Sequence, residues 1–251
     1  MKHPFRVLSI DFDYFQNATV QQMYCYPDGL DLPTSLSTYV WVSHYSQART
    51  REILEQVTAD EKGLALLRKV LLKNSKTEKP VMIVQSHKLI YDFVMDNYEL
   101  GDYDGLSLIN VDMHPDYKNN NDREVDCGNW VSFLEKEFEG NFDFTWVANK
   151  VSEEMFPAPE ELKGRTTQSL DILKDKEFDA IFICRSDNWL PPHLDSHFDK
   201  LFNFCIEMFG RALVDGQITT PREYMEQVKQ MEEVYANLNK VNEKQRKGEL
   251  P

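Results

Sequence analysis

The sequence predicts an α/β protein in which a mainly parallel central sheet is covered by helices on both faces, a three-layer αβα arrangement. Three observations predict it. Short continuous apolar runs recur at Arg6 to Phe15, Val81 to Val84, Leu106 to Asp112, Phe142 to Ala148 and Phe178 to Cys184, and such runs read as strands buried on both faces. Between them lie segments with apolar residues three and four apart, as at Ile53, Leu54, Val57, Leu64, Leu67, Val70 and Leu71, the spacing of a helix with one buried face. Several runs also end in acids or histidine, groups that a parallel sheet brings to one rim.

Taken in order, the first run closes on Asp11 and Asp13, two apart and therefore expected on one side of an extended chain. Residues 16–46 read as a long irregular segment, interrupted by Tyr26-Pro-Asp-Gly29 and Leu32-Pro33, with a short strand expected at Thr38 to Ser43. A connection of that length is usually functional, so it is expected to be a substrate loop carrying Trp41, His44 and Tyr45. Helical spacing then runs from Gln47 to Asn74 with a break near Asp60 or Gly63, and the strand Val81 to Val84 delivers His87 into a helix from Lys88 to Tyr98.

The central run, Leu106-Ser-Leu-Ile-Asn-Val-Asp-Met-His-Pro-Asp116, passes straight from apolar strand into Asp112, His114 and Asp116. A polar loop from Tyr117 to Asp122, a helix from Cys127 to Phe138 and a strand to Ala148 follow. Residues 149–176 hold a short helix, and the strand ending at Cys184 presents Arg185, Ser186, Asp187, Asn188 and Trp189. Helices are expected from His193 to Leu213 and from Pro221 to about Gly248, the last a charged outer helix with few apolar anchors.

At 251 residues the chain suits one α/β domain spanning 1–251. Its 42 acidic and 28 basic residues give a formal charge of −14, which argues against nucleic acid and anionic membranes and favours cationic partners or metal. No apolar run reaches the roughly 18 residues needed to span a bilayer, and the first residues enter a strand rather than a signal segment, so a cytoplasmic protein is expected. The four cysteines, Cys25, Cys127, Cys184 and Cys205, form no Cys-x-x-Cys pair, and reduced thiols are expected.

Two carboxylates held together repel unless a cation lies between them or one is protonated. Asp11, Asp13, Asp112 and Asp116 carry the charge that balances two divalent cations, and His87 and His114 add neutral nitrogen donors. Two metals about 3.5–4 Å apart lower the pKa of a shared water, so hydrolysis is the expected chemistry.

These motifs resemble those of the arginase and ureohydrolase superfamily. Gln85-Ser-His87 resembles its Gly-Gly-Asp-His strand end, Asp112-Met-His-Pro-Asp116 its Asp-Ala-His-x-Asp strand end, and Ser9-Ile-Asp-Phe-Asp13 its Ser-x-Asp-x-Asp strand end. The third motif is C-terminal in arginases and N-terminal here, so the chain resembles a circular permutation with rotated strand order. Cys127-Gly-Asn-Trp-Val-Ser-Phe-Leu134 resembles the segment after the second motif, although Trp130 occupies the place near which arginases carry a proton-shuttle histidine. Together with Cys184-Arg-Ser-Asp-Asn-Trp-Leu-Pro-Pro192, these features look most like the permuted branch that includes peptide arginases.

The resemblance implies an arginase-like fold, two Mn²⁺ ions held by Asp11, Asp13, His87, Asp112, His114 and Asp116, and conversion of arginine in a precursor peptide to ornithine with release of urea. Asp13 or Asp116 would accept a proton, and His44, His193 or bulk water would replace the missing shuttle. Asp187 would hold the guanidinium fork, with Asn129, Trp130 and Trp189 beside the substrate. A small guanidino or acylated amine substrate, and a metal-binding protein without turnover, are the alternatives. Arginase-like enzymes often associate, so a homo-oligomer is an open expectation.

Overall fold

In the computed structural model, which describes residues 2–27, 31–118, 124–218 and 221–247, nine strands and nine α-helices are described. The strands are β1 (Phe5–Asp11), β2 (Gln16–Asn17), β3 (Thr58–Ala59), β4 (Val81–Val84), β5 (Leu106–Asp112), β6 (Phe142–Ala148), β7 (Thr166–Thr167), β8 (Ala180–Cys184) and β9 (Leu213–Val214). The helices are α1 (Val20–Met23), α2 (Thr34–Tyr45), α3 (Ala48–Leu54), α4 (Glu61–Asn74), α5 (Ile90–Glu99), α6 (Trp130–Glu137), α7 (Ser152–Met155), α8 (Asp195–Phe209) and α9 (Met225–Arg246). Parts of the expected turn at 26–29 and loop at 117–122, and the end of the last helix at Gly248, lie outside the described residues.

Seven strands form one sheet in the order β7-β6-β5-β1-β8-β4-β9, with neighbours parallel throughout. Side-chain alternation divides its apolar residues between two cores. Leu8, Ile10, Ile109, Val111, Ile181 and Ile183 pack on one face with residues of α2, α4 and α8. Phe5, Val7, Leu106, Leu108 and Phe182 pack on the other with residues of α5 and α6. Helices on both faces make this a three-layer αβα fold, and the register Ile10 to Val111 and Asp11 to Cys184 aligns the carboxyl ends of β5, β1 and β8.

The segment 16–46 is not the irregular loop expected from its sequence. Its centre is α2, whose buried residues Thr34, Ser37, Thr38, Trp41, Val42 and Tyr45 recur at helical spacing. Three of those six are hydroxyl-bearing Ser or Thr, which hid the periodicity, while Tyr39, Val40, Trp41 and Val42 favour strands by local preference. Burial decides instead, and Thr38 adapts by donating its hydroxyl to the Thr34 carbonyl at 2.7 Å. Similarly, the helix expected to reach Leu213 stops at Phe209, capped by Gly210 at φ 60°, and Leu213 belongs to β9.

Among the described residues, no helix is long and apolar enough to cross a membrane.

Candidate metal centre

Six side chains from three loops converge at the carboxyl rim of the sheet. β1 ends at Asp11, and the chain turns at once into a short 3₁₀ segment, Phe12–Phe15, with the Asp13 amide donating to Asp11 Oδ1 at 3.2 Å. β5 ends at Asp112, whose Oδ1 accepts from the His114 amide at 2.7 Å. Neither Asp13 nor His114 nor Asp116 is on an extended strand, so strand alternation is not what aims them. The turns do so, and Asp116 takes φ 47°, in the left-handed region that a non-glycine residue adopts only where its surroundings impose it. His87 follows β4 and crosses over β8, its ring stacked on Phe182 at 5.7 Å.

The distances describe two groups sharing one carboxylate. His87 Nδ1 lies 3.3 Å from Asp11 Oδ2, 3.0 Å from Asp112 Oδ2 and 3.1 Å from Asp116 Oδ2. His114 Nδ1 lies 3.1 Å from Asp13 Oδ2 and 3.6 Å from Asp112 Oδ1. Asp112 thus turns one oxygen toward each group. Around a metal with bonds of about 2.1 Å, neighbouring ligand atoms stand roughly 3–4 Å apart, which is the spacing of these sets. Asp11, His87 and Asp112 form one buried set that could hold an ion, and Asp13, Asp112 and His114 form a second.

Asp11, Asp13, His87, Asp112 and Asp116 are buried, and their electrostatics show what the arrangement lacks. Burial, then the charges of Asp13 and Asp112, push the Asp11 carboxyl well above its ordinary range. Burial and Asp112 raise Asp116 to about 7. Burial would lower both imidazoles, but the surrounding carboxylates outweigh it and hold His87 and His114 well above the ordinary value. Burial would raise Asp112, yet the two histidines keep it below the usual carboxylate range. The raised carboxyl of Asp11 and the raised imidazoles mark buried negative charge that cations would balance. Asp13 Oδ2 and His87 Nδ1 are buried without a hydrogen-bond partner among the described residues, despite their close neighbours. Orphaned donors of this kind in a set of four carboxylates and two imidazoles fit divalent metal.

Outer contacts fix the donors in place. Ser9 Oγ meets His87 Nε2 at 2.8 Å, Trp130 Nε1 donates to Asp116 Oδ2 at 2.7 Å, and Asn110 Nδ2 donates to Asp112 Oδ2 at 3.1 Å. The Met113 amide donates to Asp13 Oδ1 at 3.3 Å, Trp146 Nε1 to the Asp112 carbonyl at 2.9 Å, and Ser152 Oγ to the Met113 carbonyl at 2.6 Å.

A cavity of about 240 Å³ opens over Asp11, His87, His114 and Asp116 and is walled by Pro115, Tyr117, Cys127, Phe156, Ser186 and Trp189. The His114 ring lies against both Phe156, at 4.3 Å, and Trp189, at 4.4 Å. Ser186, like Asp116, has a left-handed backbone, at φ 58°. Burial, then Asp116 and Asp31, push the Cys127 thiol up to about 12, so it stays a neutral thiol at neutral pH.

Other expected site residues lie elsewhere. Asp187 cannot hold a substrate guanidinium, because it is fully buried and its two oxygens accept from Arg185 Nε and, at 2.9 Å, Arg185 Nη2. His44 is absent from the cavity wall and directs Nδ1 to the Cys25 carbonyl at 3.0 Å. His193 is engaged at both nitrogens, by the Tyr45 hydroxyl and by the Val57 carbonyl at 2.9 Å. Asn129 braces the turn before α6, accepting from the Asp126 amide at 2.8 Å and donating to the Glu124 carbonyl at 3.1 Å. Trp130 is buried behind Asp116 and does not line the cavity. Trp189 does line the cavity.

Sequence reasoning missed Phe156, which follows a four-residue helix in a proline-rich stretch without periodicity, and Ser152 and Trp146, whose hydrogen bonds reach distant backbone. It also missed Asp31, which accepts from Ser86 Oγ at 2.5 Å and whose charge is felt at Cys127 in the cavity wall.

No family model matches the chain, and no curated protein or solved structure matches it. The donor set is what speaks. Its two buried Asp/His groups could hold metal ions.

Proposed function

We propose that the protein is a dinuclear-metal hydrolase of ureohydrolase type, which converts arginine side chains of a precursor peptide to ornithine with release of urea. One observation carries this reading: Asp112 shares its carboxylate between two buried donor groups, which would let Asp11, Asp13, His87, Asp112 and His114 hold two cations side by side. Two divalent ions, Mn²⁺ by the resemblance, would supply an activated water near neutral pH and offset negative charge in the transition state.

The chain's own residues account for the rest. The aromatic wall of Trp189 and Phe156 suits the flat face of a guanidinium. Asp31 is the acid we assign to the guanidinium fork in place of Asp187: it is half-buried, lies behind the residues that line the cavity with its Oδ2 accepting from Ser86 Oγ, and its charge reaches Cys127 of the wall. Asp116, the one of the two candidate proton acceptors that lines the cavity, is assigned to carry a proton from water to the departing amine. The balance is one substituted guanidinium plus one water giving one ammonium plus urea, with no net proton consumed. A cavity of about 240 Å³ is smaller than ordinary small-molecule sites of roughly 300–1,000 Å³, which favours a single side chain with its backbone outside. The acidic chain, at −14, would attract a cationic peptide.

The test is incubation of Mn²⁺-loaded protein with an arginine-containing peptide, followed by mass spectrometry and urea detection. The expected result is loss of about 42 mass units per arginine, the change from guanidine to amine on hydrolysis, and no such loss with Asp112→Ala. Turnover of free arginine or agmatine but not peptide would move the assignment to a small substrate, and metal binding without urea from any of them would reduce it to a binding protein.

A further inference from the structure

The last helix ends in open solvent. Its first turns are docked: Val228 is fully buried, Met231 packs on the core and Glu232 pairs with Arg51 at 2.7 Å. From Glu233 to Lys247 every residue is exposed, a projection of roughly 22 Å at 1.5 Å per residue. Isolated helices of up to about 15 residues are marginal in water, so a helix of this length calls for a partner. It also carries a face for one. Met231, Val234, Leu238 and Val241 follow the three-four-three spacing of a coiled-coil seam, and Val234, Leu238 and Val241 are 51%, 53% and 43% exposed.

Charge along the helix says what the partner is. Residues 223–233 hold Glu223, Glu226, Glu232 and Glu233 against Lys229, a net of −3. Residues 240–247 hold Lys240, Lys244, Arg246 and Lys247 against Glu243, a net of +3, and the stretch between is uncharged. A pattern that reverses sign about its own midpoint is self-complementary under a two-fold axis, where each half meets the opposite half of the same sequence. Parallel pairing would instead set like charge against like, and antiparallel pairing also opposes the helix dipoles favourably.

We propose that α9 is a dimerisation element that pairs antiparallel with α9 of a second copy, seating Val234 of each chain against Leu238 of the other and Met231 against Val241. The acidic, docked half of each helix then receives the basic, projecting half of its counterpart.

Sedimentation of the full chain tests this. At tens of micromolar the expected mass is twice the 29.5 kDa of one chain. Leu238→Glu should sediment as a single chain and lose helical ellipticity, while Leu238→Ile stays paired, so misfolding and loss of the seam are told apart. Glu226→Arg, which opposes Arg246 in this register, should weaken the dimer about tenfold, and adding Arg246→Glu should restore it. A single-chain mass for the unaltered protein, a dimer that survives Leu238→Glu, or a charge swap without restoration would each overturn the proposal.

Discussion

Trp130 Nε1 donates to Asp116 Oδ2 across 2.7 Å, while the same indole lies 5.1 Å from the His87 ring. One side chain at the start of α6 therefore orients two donors that come from different strands. Trp130→Phe keeps an aromatic ring, though a smaller one, and deletes the hydrogen bond. Loss of such an outer contact typically costs roughly 10–100-fold in metal affinity, so titration with a chelator competitor should show weaker binding while the circular dichroism spectrum is unchanged. Unchanged affinity would make Trp130 a packing residue only.

Because Asp112 belongs to both donor groups, its replacement should disable both at once. With metal at about 100 times its Kd, binding adds about 2.7 kcal/mol of stability, and at about 2–4 °C per kcal/mol for a chain of this size the thermal midpoint should rise roughly 5–10 °C. Chelation should remove that rise, and Asp112→Asn should show none at any metal concentration. A variant that still bound two equivalents would separate Asp112 from the centre.

Asp31 is assigned to the substrate rather than to the metal, and the two roles differ kinetically. Asp31→Asn should leave metal content unchanged and raise KM for an arginine peptide by about tenfold, the loss of roughly one charge-assisted hydrogen bond. A fall in bound metal would place Asp31 in the metal centre, and unaltered kinetics would remove it from the site.

Much of this rim could be read from the sequence because parallel strands buried on both faces leave uninterrupted apolar runs, and those runs end at Asp11, His87 and Asp112. What brings Asp13 and Asp116 into the cluster could not be read that way. A 3₁₀ turn and a left-handed backbone aim them, and both arise from packing between segments about 100 residues apart, as the Met113 amide on Asp13 illustrates. The burial of α2 was masked by Ser37 and Thr38 on its inner face. Asp187 looked available because its strand end faces the site, and only the fold places the guanidinium of Arg185 across its oxygens and that of Arg222 beside it.

That buried pair makes the final prediction, one of stability. Burial alone would raise Asp187, but Arg222 and Arg185 outweigh it and hold the carboxyl below its ordinary range. Arg222 Nη1 also donates to the Asp187 carbonyl at 2.6 Å, and its Nη2 to the Leu190 carbonyl at 2.6 Å, so the loop bearing Trp189 is held by guanidinium groups. A carboxyl depressed on folding contributes stability that is fully present above its unfolded value of about 3.9 and lost as pH falls through the lower folded value. Asp187→Asn leaves Arg185 buried opposite a neutral group, at a cost of roughly 3–5 kcal/mol near neutral pH. Urea unfolding of the two proteins should therefore differ most above about pH 5, and the gap should begin to narrow only as pH falls below about 4. A gap that stayed constant down to pH 2 would mean that the ionised form of Asp187 contributes nothing to holding the loop.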